Sequence, residues 1–128
     1  MKICITGGAG FIGSHVADAY LALGAEVVVI DDLSSGTREN VPRGARLIQA
    51  DIRDRRRIAE IFRTERFTHV SHHAAQISVP ASVQDPWFDA EVNVHGLLSV
   101  LDACVRSGVE KCIFVSSGGT VYGNPARL

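Results

Sequence analysis

The amino-acid sequence predicts an α/β domain built on a doubly wound parallel sheet. Five short apolar segments alternate along the chain with segments that repeat apolar residues at helical spacing. This alternation implies right-handed crossovers between parallel strands. A glycine-rich turn follows the first strand, and polar side chains stand where later strands end. These observations predict a Rossmann-like sheet with strand order 3-2-1-4-5 and a topological switch point between strands 1 and 4.

The composition predicts one soluble globular domain over residues 1–128. The chain has 46% hydrophobic and 21% charged residues, which is ordinary for that class. A net charge of −1 gives no electrostatic reason to expect nucleic acid or an anionic membrane as a partner, and no apolar run approaches a membrane span. The first strand begins directly after Met1, which argues against a signal peptide. Cys4, Cys104 and Cys112 form no C-x-x-C pair, so we expect buried, reduced thiols in a cytoplasmic protein.

The glycine-rich turn occupies residues 6–14. It follows an apolar strand and leads into a helix predicted over residues 11–23, so Gly7, Gly10 and Gly13 stand at a strand-to-helix turn. Glycine suits such a turn because the backbone bends sharply and a ligand can approach where a Cβ would collide. The unpaired N–H groups and the dipole of the helix predict a pyrophosphate as the ligand. The spacing G-x-x-G-x-x-G differs from the common G-x-G-x-x-G, so a merely tight turn is the alternative.

The second predicted strand, residues 26–32, ends in the carboxylates Asp31 and Asp32. Its apolar run is typical of a strand covered on both faces. Asp31 follows Gly13 at close to the ~20-residue interval at which an acid reaches the adenosine ribose. A carboxylate there accepts from a 2′-hydroxyl and repels a 2′-phosphate, so the sequence favours NAD over NADP. Arg38, the nearest cation, is interpreted as a solvated loop charge.

The third predicted strand, residues 46–50, follows a polar loop over residues 33–44 and ends at Asp51. Asp54 is placed to cap a helix over residues 55–62. The apolar face of this helix comprises Ile58, Ile61 and Phe62. Four arginines cluster at its start, namely Arg53, Arg55, Arg56 and Arg57. One short cluster in a nearly neutral domain is interpreted as a solvated helix start rather than a nucleic-acid site.

The fourth predicted strand, residues 67–72, leads into His73, Ala74, Ala75 and Gln76. Neighbouring strand residues point to opposite faces, so His72 and His73 cannot easily share a metal ion. No Cys, Asp or Glu stands nearby at ligand spacing, and we therefore expect no metal. The small Ala74 and Ala75 would let a flat ring lie against the backbone.

A long helix is predicted between Asp85, which suits its N-cap, and Gly108, which suits its end. Its apolar stripe comprises Val92, Leu97, Val100, Leu101 and Cys104. Asn93 interrupts this stripe and is interpreted as a polar residue on the solvated face. The fifth predicted strand, residues 111–115, is followed by the polar segment 116–123. The candidate functional residues thus stand at the carboxyl ends of strands, where ligands bind in open α/β sheets.

Together these motifs resemble the extended short-chain dehydrogenase/reductase family of NAD-dependent epimerases and dehydratases, and within it the UDP-glucose 4-epimerases. The matching segments are 6–14, 29–36, 51–52, 72–76, 82–84, 93–96 and 116–123. They cover nearly the whole chain and are specific for the family. They are less specific for the substrate, because nucleotide-sugar dehydratases and other epimerases share most of them.

The resemblance implies NAD as the cofactor and a UDP-sugar as the substrate of the complete enzyme, epimerised at C4. The implied cofactor-binding residues are Gly7, Gly10, Phe11, Ile12 and Gly13 at the pyrophosphate, Asp31 at the adenosine ribose with Asp32, Ser35 and Gly36 in the same loop, Asp51 and Ile52 at the adenine, Ala74, Ala75 and Gln76 toward the nicotinamide, and Asn93, the family's structural asparagine. The family's catalytic hydroxyl lies after the fifth strand. Because Gly118 stands where many epimerases have serine, Ser117 is the first candidate and Thr120 the second.

The main departure from the family concerns the catalytic acid–base pair. The family's reaction uses a Tyr-x-x-x-Lys pair, in which the tyrosine acts as acid and base. The chain has Tyr20, Tyr122, Lys2 and Lys111, at no such spacing. We therefore expect the N-terminal, NAD-binding portion of an epimerase, inactive alone, whose complete form is a homodimer through the long helix. The alternatives are a non-catalytic NAD-binding module or truncated paralogue, and a nucleotide-sugar 4,6-dehydratase.

Overall fold

Five parallel strands form one sheet in the computed structural model, which describes residues 1–117. The strands are β1 (Lys2–Thr6), β2 (Glu26–Asp31), β3 (Arg46–Gln49), β4 (His69–His72) and β5 (Lys111–Phe114). Their order is β3-β2-β1-β4-β5, which confirms the predicted order and places the switch point between β1 and β4. In register, Thr6 at the end of β1 lies between Ile30 of β2 and His72 of β4. The carboxyl ends of these three strands therefore meet at one edge.

The helices of the described part are α1 (Phe11–Ala22), α2 (Arg55–Glu65), α3 (Val79–Gln84), α4 (Pro86–Ala90) and α5 (Leu97–Ser107), with a 3-10 turn at Arg38–Asn40. A π-helical turn, Glu91–Gly96, joins α4 to α5. The predicted long helix is therefore present but is wound more widely in its middle, and the sequence pattern predicts neither this turn nor α3. The turn packs closely on Ile52, because a Cβ on Gly96 would lie 2.5 Å from Ile52 Cδ1.

Side-chain caps begin two helices where the sequence predicts them. Asp54 Oδ1 accepts from the N–H of Arg57 at 3.0 Å at the start of α2, and Asp85 Oδ1 accepts from the N–H of Phe88 at 3.0 Å at the start of α4. Gly108 follows α5 with a φ of 70°, a left-handed conformation that glycine adopts without steric cost. The predicted inner face of α2 is also confirmed, because Ile58, Ile61 and Phe62 are buried.

Helix α1 exists as predicted, but only part of its apolar pattern faces the sheet, where Val16 and Tyr20 pack against the core. Phe11, Ile12 and Leu23 are exposed, whereas Gly13 and Ala17 are buried. Small residues are needed because the helix begins in contact with the glycine turn, and a Cβ on Gly13 would lie 2.3 Å from the Gly7 carbonyl oxygen. Phe11 and Ile12 therefore face outward at the turn.

Each face of the sheet has its own apolar core. The core beside α1 comprises Ile3, Ile5, Ala17, Ala25, Val27 and Val29. The core beside α2 and α5 includes Cys4, Val28, Ile30, Phe62, Phe67, Val70, Val100 and Cys104. Burial raises the pKa of the Cys104 thiol to about 12, so this thiol is protonated at neutral pH. No helix within residues 1–117 is long and apolar enough to cross a membrane.

Candidate functional site

The glycine turn joins β1 to α1 at the carboxyl edge of the sheet. Gly7 has a φ of 69°, and its N–H donates to the Ile30 carbonyl oxygen at 2.8 Å. A Cβ on Gly7 would lie 2.7 Å from the backbone nitrogen of Ala74. Both conformation and space therefore require glycine here. The turn and the segment after β4 are in direct contact, as the predicted switch point implies.

The first turn of α1 presents unpaired backbone donors. Its N-cap residue, Gly10, has no side chain that could cap the helix. Among the described residues, none accepts a hydrogen bond from the N–H groups of Phe11 and Ile12. The N-terminal end of the helix dipole adds partial positive charge at the same place. This donor set fits a pyrophosphate, because anions bind helix N-termini through such groups.

Asp31 lies beside the glycine turn and contacts its backbone. Oδ2 of Asp31 accepts from the N–H of Ala9 at 2.9 Å, and Oδ1 accepts from the N–H of Leu33 at 2.9 Å. The residue is only 6% exposed. Each carboxylate oxygen has a second acceptor site, so the group can still accept from a ribose hydroxyl. Its place at the end of β2 agrees with the sequence, but the contact with Ala9 is not apparent from the sequence.

The loop after β2 packs on the glycine turn through the same alanine. The Ala9 carbonyl oxygen accepts from the N–H of Thr37 at 3.1 Å and from Asn40 Nδ2 at 2.9 Å. A Cβ on Gly36 would lie 2.7 Å from that carbonyl oxygen, so Gly36 is needed for close packing. Sequence reasoning missed Asn40, since one asparagine in a polar loop carries no signal of its partner.

Two other predicted residues of this loop are exposed. Asp32 Oδ1 accepts from the N–H of Ser34 at 2.9 Å and from its hydroxyl at 2.7 Å, which closes a local turn. Ser35 follows on the surface. For both residues, contact with a cofactor stays a prediction.

Asp51 forms an ion pair with Arg53, one of the four arginines that the sequence predicts to be solvated. Arg53 Nη2 donates to Asp51 Oδ2 at 2.6 Å, and this guanidinium lowers the pKa of the Asp51 carboxyl. The Arg53 guanidinium also lies 5.1 Å from the centre of the Phe88 ring. An open cavity of about 430 Å³ borders Asp51 and Arg53 and is otherwise lined by Asp54, Glu91 and His95. Arg53 is therefore a structural partner at the predicted adenine position.

Ile52, which the resemblance places with Asp51 at the adenine, is buried. It is 5% exposed and packs against Gly96. Contact of Ile52 with a cofactor stays a prediction.

Thr6 connects the end of β1 to the segment after β4. Its Oγ1 accepts from the N–H groups of His73 at 3.2 Å and Ala74 at 3.3 Å. Oγ1 also lies within hydrogen-bond distance of His72 Nδ1, at 2.7 Å. Burial, followed by the nearby His73, lowers the pKa of His72 to about 4. Phe114 stacks on the neutral His72 ring at 6.1 Å between centroids.

The two adjacent histidines have separate partners. His73 Nε2 lies 2.8 Å from Ser71 Oγ, and burial lowers the pKa of His73. Within residues 1–117 no group of three potential metal ligands comes together.

Asn93 holds the backbone of Gln76, which agrees with the structural asparagine that the resemblance implies and not with the alternative of a residue on the solvated face. Asn93 Oδ1 accepts from the N–H of Gln76 at 2.9 Å, and Asn93 Nδ2 donates to the Gln76 carbonyl oxygen at 2.9 Å. Asp89 Oδ1 accepts from Asn93 Nδ2 at 3.1 Å and from Gln76 Nε2 at 2.8 Å. The π-helical turn thus fixes the segment that the resemblance places toward the nicotinamide. Asn93 has a structural role here, and its contact with a cofactor stays a prediction.

The remaining predicted residues follow β4 and β5. Ala75 is exposed next to Ala74, and Ser117 is exposed after the end of β5. Thr120 lies outside the described residues. The structure thus brings together Gly7, Asp31 and Ala74 at one edge of the sheet.

Residues 3–128 match the model of a family described as the NAD dependent epimerase/dehydratase family. A putative UDP-glucose 4-epimerase of Methanocaldococcus jannaschii is 40% identical over 126 residues, which are 98% of this chain and 41% of that protein. The UDP-glucose 4-epimerase of Lacticaseibacillus casei is 39% identical over 128 residues, which are 100% of this chain and 38% of that protein.

Two solved structures share the fold of this chain. The UDP-glucose 4-epimerase of Thermus thermophilus, in complex with NAD, has a TM-score of 0.94 and 51% identity over 100% of this chain and 42% of that chain. The Thermotoga maritima UDP-glucose 4-epimerase, with UDP-glucose, has a TM-score of 0.94 and 44% identity over 100% of this chain and 41% of that chain. The chain therefore spans less than half the length of the relatives that it matches.

Proposed function

Because this chain belongs to the NAD dependent epimerase/dehydratase family, we propose that residues 1–128 form the NAD-binding domain of a UDP-sugar 4-epimerase. The observation that carries this proposal is the bond between Asp31 and Ala9. It sets a carboxylate suited to a ribose beside the unpaired N–H groups of Phe11 and Ile12. A ribose site next to a pyrophosphate site is the arrangement that a dinucleotide requires.

In this proposal each part of NAD meets a different element. The N–H groups of Phe11 and Ile12 hold the pyrophosphate, and Asp31 accepts from the adenosine ribose. Asp51 and Ile52 frame the adenine. Ala74 lies on the path toward the nicotinamide and is followed by Ala75 and Gln76. Bound NAD supplies a reversible hydride acceptor, while the protein supplies position and electrostatics.

The whole-protein reaction that we propose is inversion at C4 of a UDP-sugar. The solved relatives in complex with NAD and with UDP-glucose support it. Ser117 would hydrogen-bond to the reacting sugar hydroxyl, with Thr120 as the second candidate. The 128 residues contain no Tyr-x-x-x-Lys pair, so the general acid–base step requires residues beyond this set.

A dimer contact through α5 belongs to the same proposal. The outward side of α5 carries the exposed apolar residues Leu98, Leu101 and Val105, and Val94 is exposed in the π-helical turn just before it. A continuous apolar surface of this kind is typical of protein–protein contacts. A second copy pairing through this helix would cover the surface in the complete protein. The cytoplasmic location expected from the cysteines stays a prediction.

The test is NAD binding by the purified 128-residue chain, followed by calorimetry and by amide NMR shifts. We expect saturable binding of NAD, weaker binding of NADP, and shifts at the amides of Phe11 and Ile12. The amides of Lys111 and Gly108, at the opposite edge of the sheet, serve as internal controls and should not shift. Absence of saturable NAD binding at millimolar concentration would refute the proposal.

A further inference from the structure

The Ala9–Gly10 peptide of the glycine turn is held by hydrogen bonds at both of its polar groups. Its N–H, on Gly10, donates to the Gly7 carbonyl oxygen at 3.1 Å. Its carbonyl oxygen, on Ala9, accepts from Thr37 N–H at 3.1 Å and from Asn40 Nδ2 at 2.9 Å. Since a peptide group is planar, these three bonds together define its orientation.

This orientation determines where the proposed pyrophosphate donors point. The N–H groups of Phe11 and Ile12 follow the Ala9–Gly10 peptide directly in the chain. If that peptide plane rotates, the N–H groups in the first turn of α1 change direction or the turn frays. Any disorder of the turn in the free protein must then be removed when a nucleotide binds, which weakens affinity.

Two groups donate to the Ala9 carbonyl oxygen, and of these only Asn40 donates from its side chain. Asn40 is an exposed residue of the 3-10 turn Arg38–Asn40, so nothing in its own burial explains why its amide reaches across to the glycine turn. Without that amide the carbonyl of Ala9, a residue that is 0% exposed, would keep a single donor. Asp31, the last residue of β2, accepts from the N–H of the same alanine. Both side chains that bind Ala9 therefore come from the end of β2 and the segment that follows it.

We propose that Asn40 is a positioning residue for dinucleotide binding, which acts through the Ala9 carbonyl oxygen on the turn that faces the pyrophosphate. This inference rests on the proposed binding of NAD. Loss of one net hydrogen bond corresponds to about a three- to tenfold change in an equilibrium constant. Asn40 should therefore affect NAD and ADP alike, because both carry the adenosine ribose and the pyrophosphate.

The experiment compares Asn40→Leu with Glu39→Ala in the 128-residue chain. Leucine keeps the branched shape of asparagine but cannot donate a hydrogen bond to the Ala9 carbonyl oxygen. Glu39 is exposed on the same 3-10 turn and, within residues 1–117, has no hydrogen-bond or ion-pair partner, so its variant is the matched control. We expect Asn40→Leu to bind NAD and ADP about three- to tenfold more weakly and Glu39→Ala to bind both as the unmodified chain does.

Two further readouts separate positioning from a general loss of stability. Without nucleotide, amide hydrogen exchange at Thr37 should accelerate in Asn40→Leu and not in Glu39→Ala. In a double-mutant cycle with Asp31→Asn, the losses in NAD affinity should not add, because both residues act on the Ala9 peptides. Equal NAD affinity in Asn40→Leu and the control would overturn this inference alone, as would additive losses in the cycle. Failure of the unmodified chain to bind either NAD or ADP would overturn the proposed function and this inference with it.

Discussion

Replacing Asp31 by asparagine separates a role seen in the structure from one that we propose. The carboxylate oxygens accept from Ala9 N–H and Leu33 N–H, each at 2.9 Å. An asparagine amide keeps one acceptor and turns its NH₂ group toward the other N–H. A hydrogen bond to a charged group contributes about 1.5–3 kcal/mol, and a buried donor without a partner costs about 1–3 kcal/mol. We therefore expect Asp31→Asn to lower the free energy of unfolding by about 2–3 kcal/mol.

The same substitution removes a negative charge from the place proposed for the ribose. At an effective dielectric constant of 20, two unit charges 4 Å apart interact by about 4 kcal/mol, and solvent and salt reduce this value. A remaining difference of about 1.4–2.8 kcal/mol corresponds to a ten- to hundredfold change in affinity ratio. We expect the preference for NAD over NADP to narrow by that factor, both in Asp31→Asn and in Asp31→Ala.

Calorimetric titration with NAD and NADP measures the affinity ratio, and urea unfolding without nucleotide measures stability. Asp18→Asn is the matched control. Asp18 is exposed on α1, its side chain makes no hydrogen bond or ion pair with another described residue, and the substitution changes the net charge by the same amount. It should leave both quantities unchanged. If Asp31→Asn keeps the full preference for NAD, the carboxylate does not face the 2′ position. If it unfolds at the same urea concentration as the unmodified chain, the bonds to Ala9 and Leu33 do not stabilise the turn.

Three further predictions concern pH, turnover and association. Burial lowers the pKa of His72 from 6.5 to about 4, so the unfolded chain binds the proton more readily than the folded chain. The free energy of unfolding should therefore fall by up to about 3 kcal/mol as pH drops from 6.5 to 4. His72→Asn, which keeps a polar group beside Thr6, should lose this part of the pH dependence in urea unfolding. The chain should not interconvert UDP-glucose and UDP-galactose, since a missing general base alone costs about 10²–10⁴-fold, and turnover near ~10 s⁻¹ in a coupled assay would contradict us. Sedimentation at micromolar concentration, with and without NAD, should show self-association that Leu98→Glu abolishes. The control Leu23→Glu, at an exposed leucine that follows α1, should not abolish it. A monomeric unmodified chain would refute the proposed contact.

The strand order, and the edge of the sheet at which Gly7, Asp31 and Ala74 meet, could be predicted because they depend on local patterns and on chirality. Apolar strands alternating with helices leave few parallel topologies, and glycines at the first turn mark where the backbone is crowded. Gly7 illustrates this, since its φ of 69° and its approach to Ala74 both need glycine. The position of Asp31 is predictable for a similar reason, because the end of β2 borders the end of β1.

What the sequence does not reveal is which distant groups pair. Asn93 interrupts an apolar stripe and so suggests a solvated residue, but its amide binds the backbone of Gln76, 17 residues away. The π-helical turn that carries Asn93 has no signature in a helical pattern. In α1, Phe11 and Ile12 are exposed and Gly13 and Ala17 are buried, because close approach to the turn favours small residues over large ones. These outcomes depend on tertiary contacts that one sequence does not report.

The position of β1 explains why the glycine turn depends on both of its neighbours. With β2 on one side and β4 on the other, the end of β1 is adjacent to both following segments. Thr6 binds the N–H groups of His73 and Ala74 just before the turn, and Ala9 is bound by Asp31 within it. Glycine makes the turn sterically possible, while these two sets of bonds select one conformation from those that glycine allows. It follows that the turn segment alone, outside this sheet, should lack the ordered donors that we propose for the pyrophosphate.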